Sequence, residues 1–120
     1  MTVSVTPMLN VPDVAATAKW YESIGFAILD TVDDDGVVNW AELALDDNRI
    51  MLNAGGQPGT GVRRDVDLHI DIDDVEARFE DLRDRVDVHE AVHDTFYGKR
   101  EFIIRDLNGF WITFGQQLDG

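Results

Sequence analysis

The stretch YGKREFIIRDLNGFWITFG, Tyr97–Gly115, decides the fold. Arg100–Asp106 and Phe110–Gly115 are rich in β-branched and aromatic residues and alternate as half-buried strands do. Leu107, Asn108 and Gly109 between them make a tight turn, where Asn and Gly tolerate positive φ. Placing Phe102, Ile104, Ile112 and Phe114 on the core side leaves Glu101, Ile103, Trp111 and Thr113 on the other. The hairpin therefore has one apolar face and one carrying a carboxylate, an indole and a hydroxyl.

Outward from this hairpin the chain repeats itself. MLNVPDVAATAKWYESIG, from Met8, and HIDIDDVEARFEDLRDR, from His69, each read as a short strand, an aspartate and an amphipathic helix. Asp13 matches Asp74, Val14 matches Val75 and Ala16 matches Ala77, at one offset close to half the chain. Asp13 is placed to accept from the free N–H groups of the first turn, and Gly25 to stop the helix in a left-handed conformation. Val14, Ala18, Tyr21 and Ile24 form the buried stripe. In the second unit Asp73 or Asp74 caps, and Val75, Phe79, Leu82 and Val86 form the stripe. Strand-like runs follow each helix: FAILDTV, VVNWAELAL and NRIMLN after the first, VDVHEAV and the closing hairpin after the second. The Gly-rich AGGQPGTGVRRD, residues 54–65, reads as a linker. The expectation is one α+β domain of two βαβββ modules, about 1–53 and 66–120. They would form a curved mixed sheet around a concave cavity, with the helices outside.

Register names the side chains that face the hollow. A two-residue turn at Asp46–Asp47 pairs Leu43 with Ile50 and Ala41 with Leu52, keeping the apolar set together. Glu42 then lies opposite Met51, and Trp40 opposite Asn53, on the concave side. The first strand contributes Thr6, Met8 and Asn10 to that side. In VDLHIDI the core takes Leu68, Ile70 and Ile72, and Asp67, His69 and Asp71 face inward.

Charge narrows the partners. Against 24 acids stand 10 bases, for a net charge of −14, which repels phosphate backbones and argues against nucleic acid. It favours a cationic ligand, or is simply the solvated surface of a chain from a salty habitat. The absence of cysteine removes disulfides, thiolate zinc sites, Fe–S ligation and cysteine nucleophiles together. No run approaches the roughly 18 apolar residues of a membrane span, and no basic-plus-apolar leader opens the chain, so a soluble cytoplasmic protein is expected. TVDDDGV lacks the spacing of a calcium loop, GGQPGTG is not a phosphate loop, and there is no nucleophile motif.

LNVPDVAATAKWYESIGF, IDIDDVEARFEDL and above all YGKREFIIRDLNGFWITF resemble the vicinal oxygen chelate superfamily over nearly the whole chain. That superfamily holds glyoxalase I, extradiol dioxygenases, fosfomycin-resistance enzymes and bleomycin-resistance proteins. The resemblance implies the βαβββ repeat and a homodimer. It also implies that metal-dependent members carry His, Gln or Glu on the first and last strand of each half. Carried over residue by residue, those positions are Thr6, Met51, Asp67 and Thr113. Hydroxyl and thioether are poor ligands for a hard divalent ion, so no metal and no other cofactor is expected. The alternative is a displaced site of Glu42, Asp67, His69 and Glu101, suited to Zn, Mn, Fe or Ni.

Trp40 and Trp111, with Glu42, Glu101, Asp67 and Asp71 nearby, suit a planar or cationic ligand by stacking and charge. Met8, Asn10, Met51 and Asn53 complete the ligand-facing set of the first half, His69 and Thr113 that of the second. Tyr97 and Arg100 flank the mouth as a gate, while His89 and His93 receive no role. Three readings follow. The first is a metal-free small-molecule-binding protein of the bleomycin-resistance type, sequestering its ligand. The second is a lyase, isomerase or dioxygenase using a shifted metal, or metal-free acid–base chemistry at His69 and Glu101. The third is a non-catalytic scaffold.

Overall fold

The computed structural model describes residues 3–59 and 62–119. Residues 60–61 of the expected linker, and residues 1–2 and 120 of the expected modules, lie outside the described residues. The chain divides into two compact units, Met1–Pro58 and Gly59–Gly120, with the division inside the expected linker. The first unit runs β1 (Met8–Val11), α1 (Val14–Ser23), β2 (Ala27–Asp34), β3 (Val37–Leu45) and β4 (Asn48–Ala54). The second repeats the plan as β5 (Asp67–Asp71), α2 (Val75–Leu82), β6 (Asp87–Asp94), β7 (Lys99–Arg105) and β8 (Trp111–Gln117). Each unit is a four-stranded mixed sheet with one helix, in the orders β1-β4-β3-β2 and β5-β8-β7-β6. The fold is α+β.

The first strand of each unit pairs in parallel with the last, β1 with β4 and β5 with β8; the other pairings are antiparallel. Parallel partners need a long crossover, which the helix and the intervening hairpin supply. The registers expected for the hairpins are those observed: Leu43 with Ile50, Ala41 with Leu52, Glu42 with Met51 and Trp40 with Asn53. The turn before β3 places Asp35 at φ 51° and Gly36 at φ 82°, the doubly left-handed geometry that an Asp-Gly pair supplies at small cost.

The helix ends follow from local chemistry. Asp13 accepts from the Ala16 N–H at 3.0 Å, and Asp74 accepts from the Ala77 N–H at 3.0 Å, which settles the second cap on Asp74 over Asp73. At the end of α1, Gly25 has φ 117°. Its N–H reaches the Glu22 carbonyl and that of Phe26 reaches Tyr21, each at 3.1 Å. The Tyr21 and Phe26 rings meet edge-to-face at 5.2 Å across this stop.

Alternation builds both cores. Leu9, Val11, Ala41, Leu43, Ile50 and Leu52 are buried on one side of the first sheet, with Val14, Ala18 and Tyr21 of α1. In the second unit Phe79 packs edge-on against Phe102 at 5.1 Å, and Phe102 stacks on Phe114 at 5.0 Å. Fully burying side chains of this size stabilises by roughly 1.5–3 kcal/mol each. Leu68, Ile70 and Ile72, expected in the core, are only half-buried. Ile72 lies beyond the end of β5, and α2, with 8 residues against 10 in α1, lies against β6, β7 and β8.

Two details of the connecting segment differ from a bare linker. Gly56 donates its N–H to Val11 at 3.2 Å, and a Cβ on Gly56 would stand 2.1 Å from the Asn10 carbonyl oxygen. A Cβ on Gly59 would stand 2.6 Å from the Asn108 carbonyl oxygen. These glycines are sites of backbone-on-backbone packing that admits no side chain. Beyond them, Asp106 is buried at 4% exposure and organises the last turn, accepting from the N–H groups of Asn108 (2.8 Å) and Phe110 (3.0 Å).

Candidate functional site

A strand with one face against a helix must turn its other residues away from it, so each sheet presents a second face built from the intervening positions. On the first sheet this face carries Met8, Asn10, Met51, Asn53, Trp40 and Glu42. Cross-strand pairs Met8–Met51, Asn10–Asn53, Trp40–Asn53 and Glu42–Met51 bring them side by side. Trp40, Glu42, Met51 and Asn53 are half-buried, while Met8 and Asn10 are exposed. Asp30 of β2 lies opposite Glu42. Among the described residues no salt bridge involves Glu42 or Asp30; every described ion pair lies in the second unit. The result is an indole next to an acid that no base pairs with among the described residues.

The second sheet places Asp67, His69 and Asp71 beside Trp111, Thr113 and Gly115, with Glu101, Ile103 and Arg105 on the far side of β8. Here the acids are matched. Asp67 pairs with Arg63, Asp71 with Lys99 at 2.6 Å, and Asp87 with Arg105 at 3.3 Å. His69 is exposed, and Thr113, 4% exposed, lies between His69 and Ile103. A shallow depression of about 310 Å³ at the end of this sheet is lined by Asp71, Ile72, Asp73, Lys99, Gln116 and Gln117.

Glu101 is 4% exposed, and the Tyr97 phenol donates to its Oε1 at 2.6 Å. That hydrogen bond, then lost solvation and the charge of Glu101, pushes the phenol above its ordinary value, because only the neutral phenol can donate. The folded chain thus holds a proton that the unfolded chain releases. The stabilisation is complete below the ordinary phenol range and is lost as pH rises through the raised value. Glu101→Gln is expected to bring the absorbance titration of Tyr97 down toward that of free tyrosine; an unchanged titration would disprove the coupling.

Arg100 does not flank a mouth with Tyr97. Neighbours along a strand point to opposite faces, so with Glu101 on one side Arg100 lies on the helix side. There it contacts Asp94 at 2.7 Å and Glu76 of α2 at 2.8 Å. The hydrogen bond between Arg100 and Asp94 raises the guanidinium and holds the Asp94 carboxyl below its usual range. His89, assigned no role from sequence, joins the open face. Its ring lies 4.1 Å from that of Trp111, and its Nδ1 accepts from Arg105 Nη2 at 2.7 Å. Val88 pairs with Ile104 on the core side, so alternation turns His89 to the open face; the ring and guanidinium it meets there come from β8 and β7, far along the chain. His93 lies opposite Glu101 and donates through Nδ1 to the Ala91 carbonyl at 2.8 Å.

These sheets and their repeated order define a family. The chain belongs to the Glyoxalase/Bleomycin resistance protein/Dioxygenase superfamily, whose model matches residues 4–114. No curated protein matches the sequence. Among solved structures it is similar to TioX from Micromonospora sp. ML1, with 20% identity, TM-score 0.79, and 98% of this chain and 100% of that one covered. A bleomycin-binding protein complexed with bleomycin is similar at 20% identity and TM-score 0.75, covering 97% and 99%. A glyoxalase/bleomycin resistance protein/dioxygenase family enzyme from Burkholderia phytofirmans PsJN follows at 15% identity and TM-score 0.71, covering 94% and 97%. At such identities the likeness shows the fold.

The four positions that resemblance assigns to a metal do not fit one. Thr6 lies just before β1, and Met51 is paired with Met8 and Glu42. Asp67 is held by Arg63, and Thr113 offers a neutral hydroxyl. A thioether, two hydroxyls and a carboxylate already neutralised by a guanidinium make a poor donor set for a hard divalent cation. Among the described residues no three His, Asp or Glu side chains gather as a metal site. Nor, among those residues, is any helix long and apolar enough to cross a membrane.

Proposed function

We propose that the protein binds a planar or cationic small molecule and sequesters it without turnover, in the manner of a bleomycin-resistance protein. The observation that carries this reading is the patch on the first sheet. Trp40 and Glu42 are half-buried beside Met51, with no salt bridge to Glu42 among the described residues. Stacking on the indole and attraction to the carboxylate then act on the same ligand, and the polarisable Met51 thioether adapts to its outline. Support also comes from the metal positions, whose donors suit no hard ion, and from the bleomycin complex of a protein that shares the fold.

The test is thermal stabilisation by bleomycin and by proflavine, a planar tricyclic cation. A ligand of the folded state at a hundred times its Kd stabilises by about 2.7 kcal/mol. Trp40→Ala is expected to remove about 0.5–2 kcal/mol of binding, a few-fold to thirty-fold in Kd. Glu42→Gln should weaken cations while sparing neutral analogues. No stabilisation by either compound, or stabilisation indifferent to Trp40→Ala, would sink this reading, as would chemical conversion of the bound compound.

A further inference from the structure

We propose that Asp67 and the ring of Trp111 form a second site, selective for planar amidinium or guanidinium cations, which in this structure the chain fills with its own Arg63. The inference goes beyond the proposed patch around Trp40 and rests on the second sheet alone. Arg63 brings its guanidinium carbon to 4.1 Å from the centre of the Trp111 ring and pairs through Nη2 with the Asp67 carboxylate. That is the full recognition chemistry of a planar cation: a π face for its flat surface and an acid for its edge.

The receiving groups are set by the sheet, and the occupant comes from outside it. Asp67 and Trp111 are direct neighbours in the β5–β8 register, so the carboxylate is set beside the ring by backbone pairing. The indole is half-buried, and His89 packs against it at 4.1 Å. His89 is held in turn by Arg105 at 2.7 Å, itself paired with Asp87. Arg63 lies in the irregular segment before β5, and 56% of its side chain is exposed against 23% for Asp67. A side chain so exposed, with a carboxylate four residues away, is a tethered competitor. It acts at the millimolar effective concentration typical of short flexible links and can be displaced by a free cation that binds more tightly. Solvent already reaches the occupied site along the exposed side of Arg63.

Benzamidinium, planar and cationic with an aromatic ring, is the probe. Its affinity is read from the Trp111 indole N–H in a nitrogen-edited NMR titration, the signal being assigned by its loss in Trp111→Phe. Arg63→Ala is expected to bind benzamidinium several-fold more tightly than the wild type, and Asp67→Asn added to it should abolish the gain. Arg49→Ala, which removes an equal charge from the first unit, should change nothing. Equal affinity in Arg63→Ala and wild type, or a gain that survives Asp67→Asn, overturns the proposal. Arg63→Gln repeats the measurement should the alanine variant lose its fold. Neither outcome touches Trp40, so failure here and failure of the proposed function are read separately.

Discussion

Asp106→Ala is expected to lower stability by about 2–6 kcal/mol, because it strands two backbone donors in a buried turn and each such orphan costs about 1–3 kcal/mol. The Asp106 carboxylate accepts from Asn108 and Phe110, and both Asp106 and Asn108 are buried. The same turn holds the Asn108 carbonyl for Arg64, whose Nη1 donates to it at 2.9 Å, and seats Phe110 beneath that guanidinium at 4.4 Å. Losing the carboxylate therefore loosens the whole entry to β8. Asp106→Asn keeps an acceptor oxygen in place and is expected to lose less than half as much. Urea unfolding reads both as shifts in midpoint at unchanged slope. A loss under about 1 kcal/mol in the alanine variant would show that water replaces the carboxylate, contrary to the burial of the turn.

The second large effect is expected at Gly56. A methyl group there meets the Asn10 carbonyl carbon at 2.3 Å and the Val11 nitrogen at 2.4 Å, besides the Asn10 oxygen. All three are backbone atoms, so no rotamer change relieves the overlap. Either the connecting segment lifts off, losing its bond to Val11, or β1 shifts against β4. Overpacking of this kind takes about 1–3 kcal/mol and occasionally more, and Gly56→Ala belongs at the upper end. Gly36→Ala is the natural contrast, since nothing lies within 4 Å of its Cβ and only the left-handed φ of 82° is strained. It should lose about 1–2 kcal/mol. Equal losses at the two positions would mean that the close approach of Gly56 to β1 is not maintained in solution.

Much of this molecule was legible in the sequence because each hairpin has one apolar face. A one-residue slip at Glu42 or Thr113 would have turned Leu43 or Phe114 out of the core, so the apolar set fixed the registers. The caps were legible for the same reason of scale: Asp13 and Asp74 act within one helical turn. What stayed hidden acts at a distance. Arg63 reaches Trp111 across most of the second unit, and composition marked its segment only as a linker. His89 escaped because its partners, Trp111 and Arg105, lie far along the chain on other strands. Arg100, expected beside Tyr97, faces the helix because it neighbours an inward Glu101, and there Glu76 and Asp94 hold it. Trp40 and Trp111 read alike in sequence, and only the placed Arg63 over the Trp111 ring distinguishes them.

The parallel pairing of β1 with β4 also sets an order of events during synthesis. Leu9 and Val11 emerge from the ribosome long before Leu52 and Ala54, the residues they lie beside. The N-terminal sheet cannot close until about forty further residues have followed, an entropic delay that grows only slowly with loop length. Once Ala54 is out, however, every strand pairing of that sheet is available, and none waits for a later residue. Translation at about 5–20 residues per second gives the first half several seconds to complete itself before the last strand is made. The second half then faces the same task, with β5 waiting for β8. A chain built this way is assembled as two successive closures, each governed by a segment the ribosome delivers last.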